Sequence, residues 1–424
     1  VRFDALDQWL AWMERLHPSE IDLGLERVRQ VAKAMDLPAF SGNLVVVAGT
    51  NGKGSCVHAL QELLRASGST VATYTSPHIE RYNERVCFDG SAASDAELCD
   101  AFARVDSARG STSLTYFEFG TLAALYLIQR RNPDYAILEV GLGGRLDAVN
   151  IVDADLAIIT SIDIDHESWL GNTRELIAHE KGGILRAGID FVCADEDPPV
   201  NLDQLAHSLG VNARWINRDF SCDRSVVCCE GKKIAFGACT LPRNAVAAAL
   251  QGYYLLCDKP LPEAALAEVL DGLTLPGRME RTTIMGVEWI FDVAHNPAAA
   301  RNLAAELRHA GDKGLTAIFT LMADKDSVGV IEAMVSVVSH WVCTQIDGMT
   351  RCAGAESLRE TLVHKFGIPE NAAESEELGR AVASALDRVR TCKQPKVLVF
   401  GSFYLVAAIK SLLVAQEFKR EQVS

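Results

Sequence analysis

The run "NLVVVAGTNGKGSCVHALQELLRASGSTVATYTSP", Asn43 to Pro77, limits the possible folds more than any other part of the chain. "NLVVVAG" reads as a short β-rich strand. "KGSCVHALQELLRASG" has apolar residues at helical spacing and stops at Gly68, and "STVATYTSP" reads as the next strand. Strand, helix and strand in that order make a βαβ unit, which favours a parallel sheet with right-handed crossovers. Between the first strand and the helix lies "GTNGKGS", Gly49 to Ser55. A glycine turn there presents backbone N–H groups and the positive end of a helix dipole to an anion. Lys53 adds a cation that reaches the β- and γ-phosphates of a nucleotide. The spelling departs from G-x-x-x-x-G-K-[ST]. Gly49 sits too close to Lys53, and Gly54 follows the lysine where Ser or Thr is usual. Ser55, one place late, remains available to a metal or phosphate. The plain alternative is a tight turn with a solvated lysine. Four small or polar residues followed by lysine favour phosphate binding over it.

The alternation continues. "FEFGTLAALYLIQR" reads as a helix, "DYAILEVGLGG" as a buried strand running into glycines, and "ADLAIITSIDIDH" as another strand. "TRELIAHEKGGILRAG" reads as a helix closed by glycine. Residues 190 to 240 are less regular and are expected at the periphery of the first domain. "LPRNAVAAALQGYYLL" returns to helix, and "LPGRMER" holds the Pro and Gly of a hinge. A second α/β series follows in "VEWIFDVAHNPAAARNLAAEL", "GLTAIFTLMADKDSVGVIEAM", "HWVCTQI" and "KVLVFGSFYLVAAIKSLL". The expected class is α/β. An N-terminal P-loop-type domain with a mostly parallel sheet spans 1–278, and a smaller C-terminal Rossmann-like α/β domain spans 279–424. Ligands of such sheets sit at the carboxyl ends of the strands. Gly49, Ser76, Glu139 and His166 all fall at or near such ends.

A length of 424 residues also points to more than one core. Hydrophobic residues make up 49% and charged residues 23%, which excludes a disordered chain. A net charge of -15 argues against nucleic-acid binding through the overall field, while leaving room for a local basic pocket. No apolar run reaches the length of a membrane span. The N-terminus carries Asp and Glu among its apolar residues and does not read as a signal peptide. It begins at Val1, so an initiator methionine or a few residues are expected upstream. The 12 cysteines have no C-x-x-C spacing and read mostly as buried, reduced thiols of a cytoplasmic protein.

Several residues carry candidate chemistry. "EVGLGGRLDAVN" has a dinucleotide-like glycine run, but the third glycine is not where that fingerprint needs it. Glu139 at its head is a hard oxygen ligand for Mg²⁺ beside a phosphate loop, or a buried carboxylate paired with Arg145. "TSIDIDHESWLGNT" places His166 beside Asp163 and Asp165. A lone histidine is usually structural; near a magnesium ion it would ligate the metal or orient phosphates. The Ser76 hydroxyl fits the same metal. Lys181 in "AHEKGGILRAG" reads from spacing as a solvated surface lysine. "FDVAHNP" puts Asp292 and His295 at a strand end, and "ADKD" puts Asp324, Lys325 and Asp326 at the next. These are ordinary capping loops, or walls of a cleft for nucleotide and a small charged substrate.

The segments "GTNGKGS", "TSPHIERYNERV", "FEFGTLAAL", "ILEVGLGGRLDAVN", "TSIDIDHESWLGNT", "HEKGGILR", "LPGRMER", "FDVAHNP", "DKD" and "GSFYLV" occur in this order along nearly the whole chain. Together they closely resemble the bifunctional dihydrofolate synthase/folylpolyglutamate synthase family of Mur-ligase-like, ATP-dependent amide ligases. Its phosphate loop carries a glycine between Lys and Ser or Thr, as here. The resemblance implies a monomeric cytoplasmic ligase that uses ATP and Mg²⁺, two ions of it. A carboxylate of 7,8-dihydropteroate or of a folate is phosphorylated, and the amine of L-glutamate displaces the phosphate. A folylpolyglutamate synthase without the dihydropteroate reaction is the alternative. Residues 1–278 become an ATP- and pterin-binding central domain, and residues 279–424 a glutamate-ligase domain, the two closing over a cleft.

Position by position, the resemblance assigns Thr50, Asn51, Gly52, Lys53, Gly54 and Ser55 to the ATP phosphates. Asn244, Arg278 and Asp292 match further ATP-contacting positions. Ser76, Glu139 and His166 match the Mg²⁺ ligands. Lys181 matches a lysine carried as a carbamate, which reverses the solvated reading. Lys53, His166, Lys181 and His295 become the catalytic set. Asp22, Leu23 and Gly24, then Thr115, Tyr116, Phe117 and Glu118, then Leu146, Asp147 and Ala148 match the pterin site. In that site Phe117 would stack on the ring and an acid would pair with its N–H edge.

Overall fold

A computed structural model of the chain describes residues 2–37, 40–223, 225–237, 239–390 and 395–421. The chain divides into two compact units, Val1–Leu273 and Thr274–Ser424.

In the first unit, eight strands of the described residues form one sheet: β1 (Asn43–Ala48), β2 (Val71–Tyr74), β3 (Val86–Phe88), β4 (Ser91–Ala92), β5 (Tyr135–Glu139), β6 (Leu156–Ile159), β7 (Asp190–Cys193) and β8 (Asn212–Trp215). Their order is β4-β3-β2-β5-β1-β6-β7-β8. The run from β2 to β8 is parallel, whereas β3 and β4 pair antiparallel at one edge. β1 and β5 are almost wholly buried, as their continuous apolar runs require in a sheet covered on both faces. Register pairs Val47 with Glu139 and Ala48 with Ile159. The ends of β2, β5, β1 and β6 are therefore consecutive along one edge, and the loops bearing Gly49, Ser76, Glu139 and His166 leave from that edge.

The helix Lys53–Ala66 connects β1 to β2 and packs against Arg243–Leu256. Arg243–Leu256 is buried continuously from Ala245 to Tyr253, which its alanine-rich, apolar circumference permits. Residues 190 to 240 depart from the sequence expectation. β7, the helix Val200–Leu209 and β8 form a further βαβ unit of the main sheet. The edge strand β8 is half-exposed and mixes Asn and Arg with Trp, so its strand signal is weak. Only β9 (Ser221–Asp223), β10 (Val226–Cys229) and β11 (Lys232–Ala235) stand apart, as a small antiparallel sheet.

The second unit holds β12 (Glu280–Ile284), β13 (Val287–Asp292), β14 (Leu315–Phe319), β15 (Val338–Gln345), β16 (Ala373–Glu377) and β17 (Lys396–Phe400), in the order β12-β13-β17-β14-β15-β16. β12 and β13 make an antiparallel hairpin, and the other pairings are parallel. Phe319, Trp341 and Phe400 pack together in its core. The acidic β16, "AESEE", has no apolar pattern and escaped the sequence reading. Its charge suits an edge strand that must not recruit another chain.

Two glycines fix turns at strand ends. Gly49 has φ of 153°, and a Cβ there would sit on Thr160 Oγ1. Gly401, at the end of β17, has φ of 111°, and a Cβ there would sit on the Thr320 carbonyl. We expect Gly49→Ala to destabilise the protein by about 1–3 kcal/mol, read as a lower urea midpoint at unchanged slope. An unchanged midpoint would show that the turn can move away from Thr160.

Candidate active site

The glycine loop is held rigidly at the end of the sheet. Thr50 donates its N–H to Ser161 O (2.8 Å) and its Oγ1 to Asp163 O (3.1 Å), while Asp163 N donates back to Thr50 Oγ1 (2.9 Å). Asn51 N donates to Ser161 Oγ at 2.9 Å, and Thr160 Oγ1 donates to Asn51 O at 2.7 Å. The segment after β6 thus fixes the loop after β1. The sequence reading missed Thr160 and Ser161; the signal was a pair of hydroxyls closing an apolar strand. Gly52 has φ of 82°, and a Cβ there would lie 3.3 Å from Ala245 Cβ, so the start of Arg243–Leu256 abuts the loop. Asn244 sits in that first turn and donates Nδ2–H to Glu196 Oε1 at 2.9 Å.

The helix Lys53–Ala66 begins without a side-chain cap, unlike Tyr116–Arg131, which Thr115 caps. Its first amides therefore point out of the loop, where an anion can accept from them. Lys53 Nζ donates to Gly49 O (2.9 Å) and Thr50 O (3.3 Å), which holds the ammonium over the loop's own carbonyls.

Glu139 closes the next corner. It is 4% exposed, and its Oε2 accepts the backbone N–H of Ser76 at 3.0 Å. A Cβ on Gly54 would lie 3.5 Å from the same oxygen, so the carboxylate faces the first turn of the helix. Ser55 Oγ is buried there with no hydrogen-bond partner among the described residues. Arg145, one sequence candidate to pair with Glu139, instead pairs with Glu180 at 2.8 Å.

Lys181 is 3% exposed, so the solvated reading from spacing is wrong. Ile177, Ala178, Lys181 and Gly182 share the buried face of Arg174–Gly182. Burial lowers the Lys181 ammonium pKa to about 7. Repulsion from Lys53 pushes the same way, and Asp165 and Asp147 oppose. Burial raises the Asp147 carboxyl to about 7 against the amides that bind it and the charge of Lys53. Those bonds come from Leu142 N (2.8 Å) and Val149 N (2.9 Å). Lys53, Lys181, Asp147 and Asp165 therefore form one charge cluster beside the loop. His166 follows Asp165 in a left-handed conformation, φ of 53°, with its N–H donated to Asp165 Oδ1 at 2.8 Å.

The three segments matched to the pterin site are linked. Arg27 donates Nε–H to Glu118 Oε2 (2.9 Å) and Nη1–H to Asp22 Oδ2 (2.6 Å). Glu118 also closes a capping box with Thr115. Phe117 lies over the glycine run after β5, where a Cβ on Gly141 would come 2.6 Å from the ring. Leu23, Gly24 and Leu146 are half-buried and Ala148 is buried.

Within the second unit, Asp292 ends β13 and accepts N–H from Met279 (2.9 Å) and Ala294 (2.8 Å). Burial raises its pKa, and Arg278 opposes the rise. Arg278 lies over the Phe403 ring at 5.2 Å, and the His295 ring is 6.1 Å from it. Arg278, Asp292 and His295 thus gather at the ends of β13 and β17. Asp326 caps Ser327–Met334 and Asp324 faces Arg351 at 3.6 Å, so both acids of "ADKD" have local partners.

The family model "Mur ligase middle domain" matches residues 47–199, and "Mur ligase, glutamate ligase domain" matches 277–403. The dihydrofolate synthase/folylpolyglutamate synthase of Escherichia coli K12 is 37% identical over 97% of this chain and 96% of its own. The chain belongs to the dihydrofolate synthase/folylpolyglutamate synthase family. The Haemophilus influenzae member is 36% identical over 95% of this chain and 96% of its own. A bifunctional Yersinia pestis member solved with AMPPNP and Mn ion superposes with a TM-score of 0.88 at 38% identity, covering 97% of this chain and 98% of that one. An Escherichia coli member solved with DHPP and ADP gives 0.88 at 34% identity with the same coverage. Among the described residues, no helix is long and apolar enough to cross a membrane.

Proposed function

We propose that the chain is a cytoplasmic, ATP-dependent ligase joining L-glutamate to 7,8-dihydropteroate, forming dihydrofolate, and to tetrahydrofolate, forming polyglutamates. The observation that carries this reading is the convergence of an uncapped helix start, Lys53, the Ser76–Glu139 pair and the buried Lys181 at one sheet edge. The ATP phosphates lie along Thr50–Ser55, accept from amides at the uncapped start of the helix and draw Lys53 off its carbonyls. Asn244 holds the nucleotide from the neighbouring helix, and Arg278 and Asp292 match further ATP-contacting positions by the resemblance. The substrate carboxylate attacks the γ-phosphorus in line and ADP leaves, giving an acyl phosphate. The glutamate amine then attacks the acyl carbon, phosphate departs, and an amide bond remains. Loop rigidity keeps the donors pointed where charge develops, which is the electrostatic part of the catalysis. His295 and the "ADKD" loop serve the glutamate end. The pterin rests on Phe117 near Asp22 and Asp147.

Mg²⁺ fits the residues present. Glu139 is a buried carboxylate tied to the backbone N–H of Ser76, and the Ser55 Oγ, buried without a hydrogen-bond partner among the described residues, belongs to the helix turn that Glu139 faces. Among the described residues, no three His, Cys, Asp or Glu side chains form a cage. Ser76, Glu139 and His166 would hold it, and when bound it would neutralise the transferring phosphoryl group.

The test incubates the protein with ATP, Mg²⁺ and glutamate, and reads products by mass spectrometry. One glutamate added to dihydropteroate with equal ADP release is expected, and further additions to tetrahydrofolate. Extension of tetrahydrofolate alone would reduce the assignment to folylpolyglutamate synthase. ATP hydrolysis with no amide product would remove it.

A further inference from the structure

Arg85 is a buried cation that the roles above leave unused. It stands just before β3 and is 8% exposed. Its Nε–H donates to His78 Nδ1 at 2.9 Å. Its Cζ lies 5.3 Å from the Tyr82 ring and 5.5 Å from the Tyr116 ring, and those rings meet edge to face at 5.8 Å. Among the described residues, no carboxylate pairs with it and no partner takes its Nη1 or Nη2 donors. The adjacent Glu84 faces away and accepts the N–H groups of Ile79 (2.8 Å), Glu80 (2.9 Å) and Arg81 (2.6 Å). Asp95 is taken by Arg81 (3.0 Å) and Asn83 (2.8 Å).

A buried guanidinium without a carboxylate is unfavourable, and two aromatic faces offset only part of that penalty. Such a group is retained where an anion arrives to complete it. The free fork presents two parallel N–H donors, the geometry that matches a carboxylate. Its surroundings say which one. His78 is two residues past Ser76, whose backbone is tied to Glu139. Tyr116 precedes Phe117, whose ring covers Gly141. The fork therefore has the metal corner on one flank and the aromatic face on the other. A molecule with a flat ring at one end and a carboxylate at the other would span that interval.

We propose that Arg85 binds the carboxylate of the pteroyl substrate through Nη1 and Nη2 and presents it at the Ser76–Glu139 corner. This rests on the ligase reading above. The guanidinium forms no covalent bond. It removes the rotational freedom of the carboxylate before phosphoryl transfer.

The test is binding, by calorimetry in metal-free buffer, of dihydropteroate and of its carboxamide analogue, in which –CONH₂ replaces the carboxylate. Wild type, Arg85→Gln and Arg85→Lys are compared, with AMPPNP as a control ligand. Wild type is expected to prefer the acid by about 10–100-fold, the range of charge-assisted hydrogen bonds. In Arg85→Gln the preference should fall to about 2-fold or less, with carboxamide and AMPPNP affinities unchanged. Arg85→Lys keeps the charge but not the fork and should be intermediate. A wild-type acid preference near unity overturns the proposal, and that measurement needs no variant. Equal losses for acid and carboxamide overturn it too, since they mean that the guanidinium only packs the tyrosines. Should wild type bind neither compound and form no glutamyl product, the ligase reading itself is at fault and this proposal falls with it. Normal turnover with an unchanged acid preference in Arg85→Gln sinks this proposal alone.

Discussion

Replacement of Lys53 by alanine is expected to lower kcat by about 100-fold or more while changing stability by no more than about 1 kcal/mol. The two outcomes separate because of where the ammonium sits. Without a nucleotide it donates to Gly49 O and Thr50 O, and the loop keeps its bonds to Ser161, Asp163 and Thr160 when the lysine goes. With a nucleotide bound it is the one cation of the loop itself, so its loss leaves charge on the transferring phosphoryl group unneutralised. It also acts on two neighbours. Its charge lowers the Lys181 pKa and opposes the raised Asp147 pKa. The variant should therefore show a Lys181 pKa above the wild-type value. Steady-state kinetics with urea melts check the first pair of outcomes. Near-normal turnover in Lys53→Ala would remove the loop from the chemistry.

The parts of the molecule that the sequence revealed share a physical cause. β1, β5, β6 and β14 are buried on both faces, so they appear as unbroken apolar runs. β8, β12 and β16 are half-exposed edge strands, and their polar residues erase the pattern that marks a strand. The glycine loop was legible because its function is local, one turn between one strand and one helix. Lys181 was not legible by residue type, since lysine on a helix is normally solvated. Its spacing did carry a signal, because it lies four residues after the buried Ile177. Partnerships across long stretches of chain had no local trace. Arg27 joins Asp22 to Glu118, and Thr160 pins Asn51. Asp147, which the resemblance gives to the pterin site, is buried and bonded to the amides of Leu142 and Val149. In each case the fold decides which donor meets which acceptor; the resemblance to known ligases gave Asp22, Glu118 and Asp147 a role in advance, and nothing in the sequence did so for Arg27 or Thr160.

Lys181→Met is expected to abolish turnover and, at the same time, to stabilise the protein. Both effects follow from a lysine held with an ammonium pKa of about 7 against an ordinary 10.5. Between those values the unfolded chain binds the proton and the folded chain does not, so stability rises with pH across that interval. Below pH 7 both states carry the proton, and the full penalty of burying it beside Lys53 is felt. In CO₂-free buffer the variant should therefore resist urea better than wild type, by a few kcal/mol near neutrality. The gain should shrink as pH approaches 10.5. A variant less stable than wild type at pH 7 would contradict the penalty. The same depressed pKa explains why a lysine is worth keeping there. Above pH 7 its amine is mostly neutral, and a neutral amine adds through Nζ to the carbon of CO₂, releasing one proton and leaving a carbamate. That exchanges a disfavoured buried cation for an anion, which attracts Lys53 instead of repelling it and offers oxygen ligands for a second Mg²⁺. We propose this modification for the active protein. Native mass spectrometry should find the mass of one CO₂ that is lost on acid denaturation and absent from Lys181→Met. Small carboxylic acids added to the variant should restore part of its turnover by filling the same space with the same charge. A fully active wild-type protein bearing no such mass would show that the bare amine suffices.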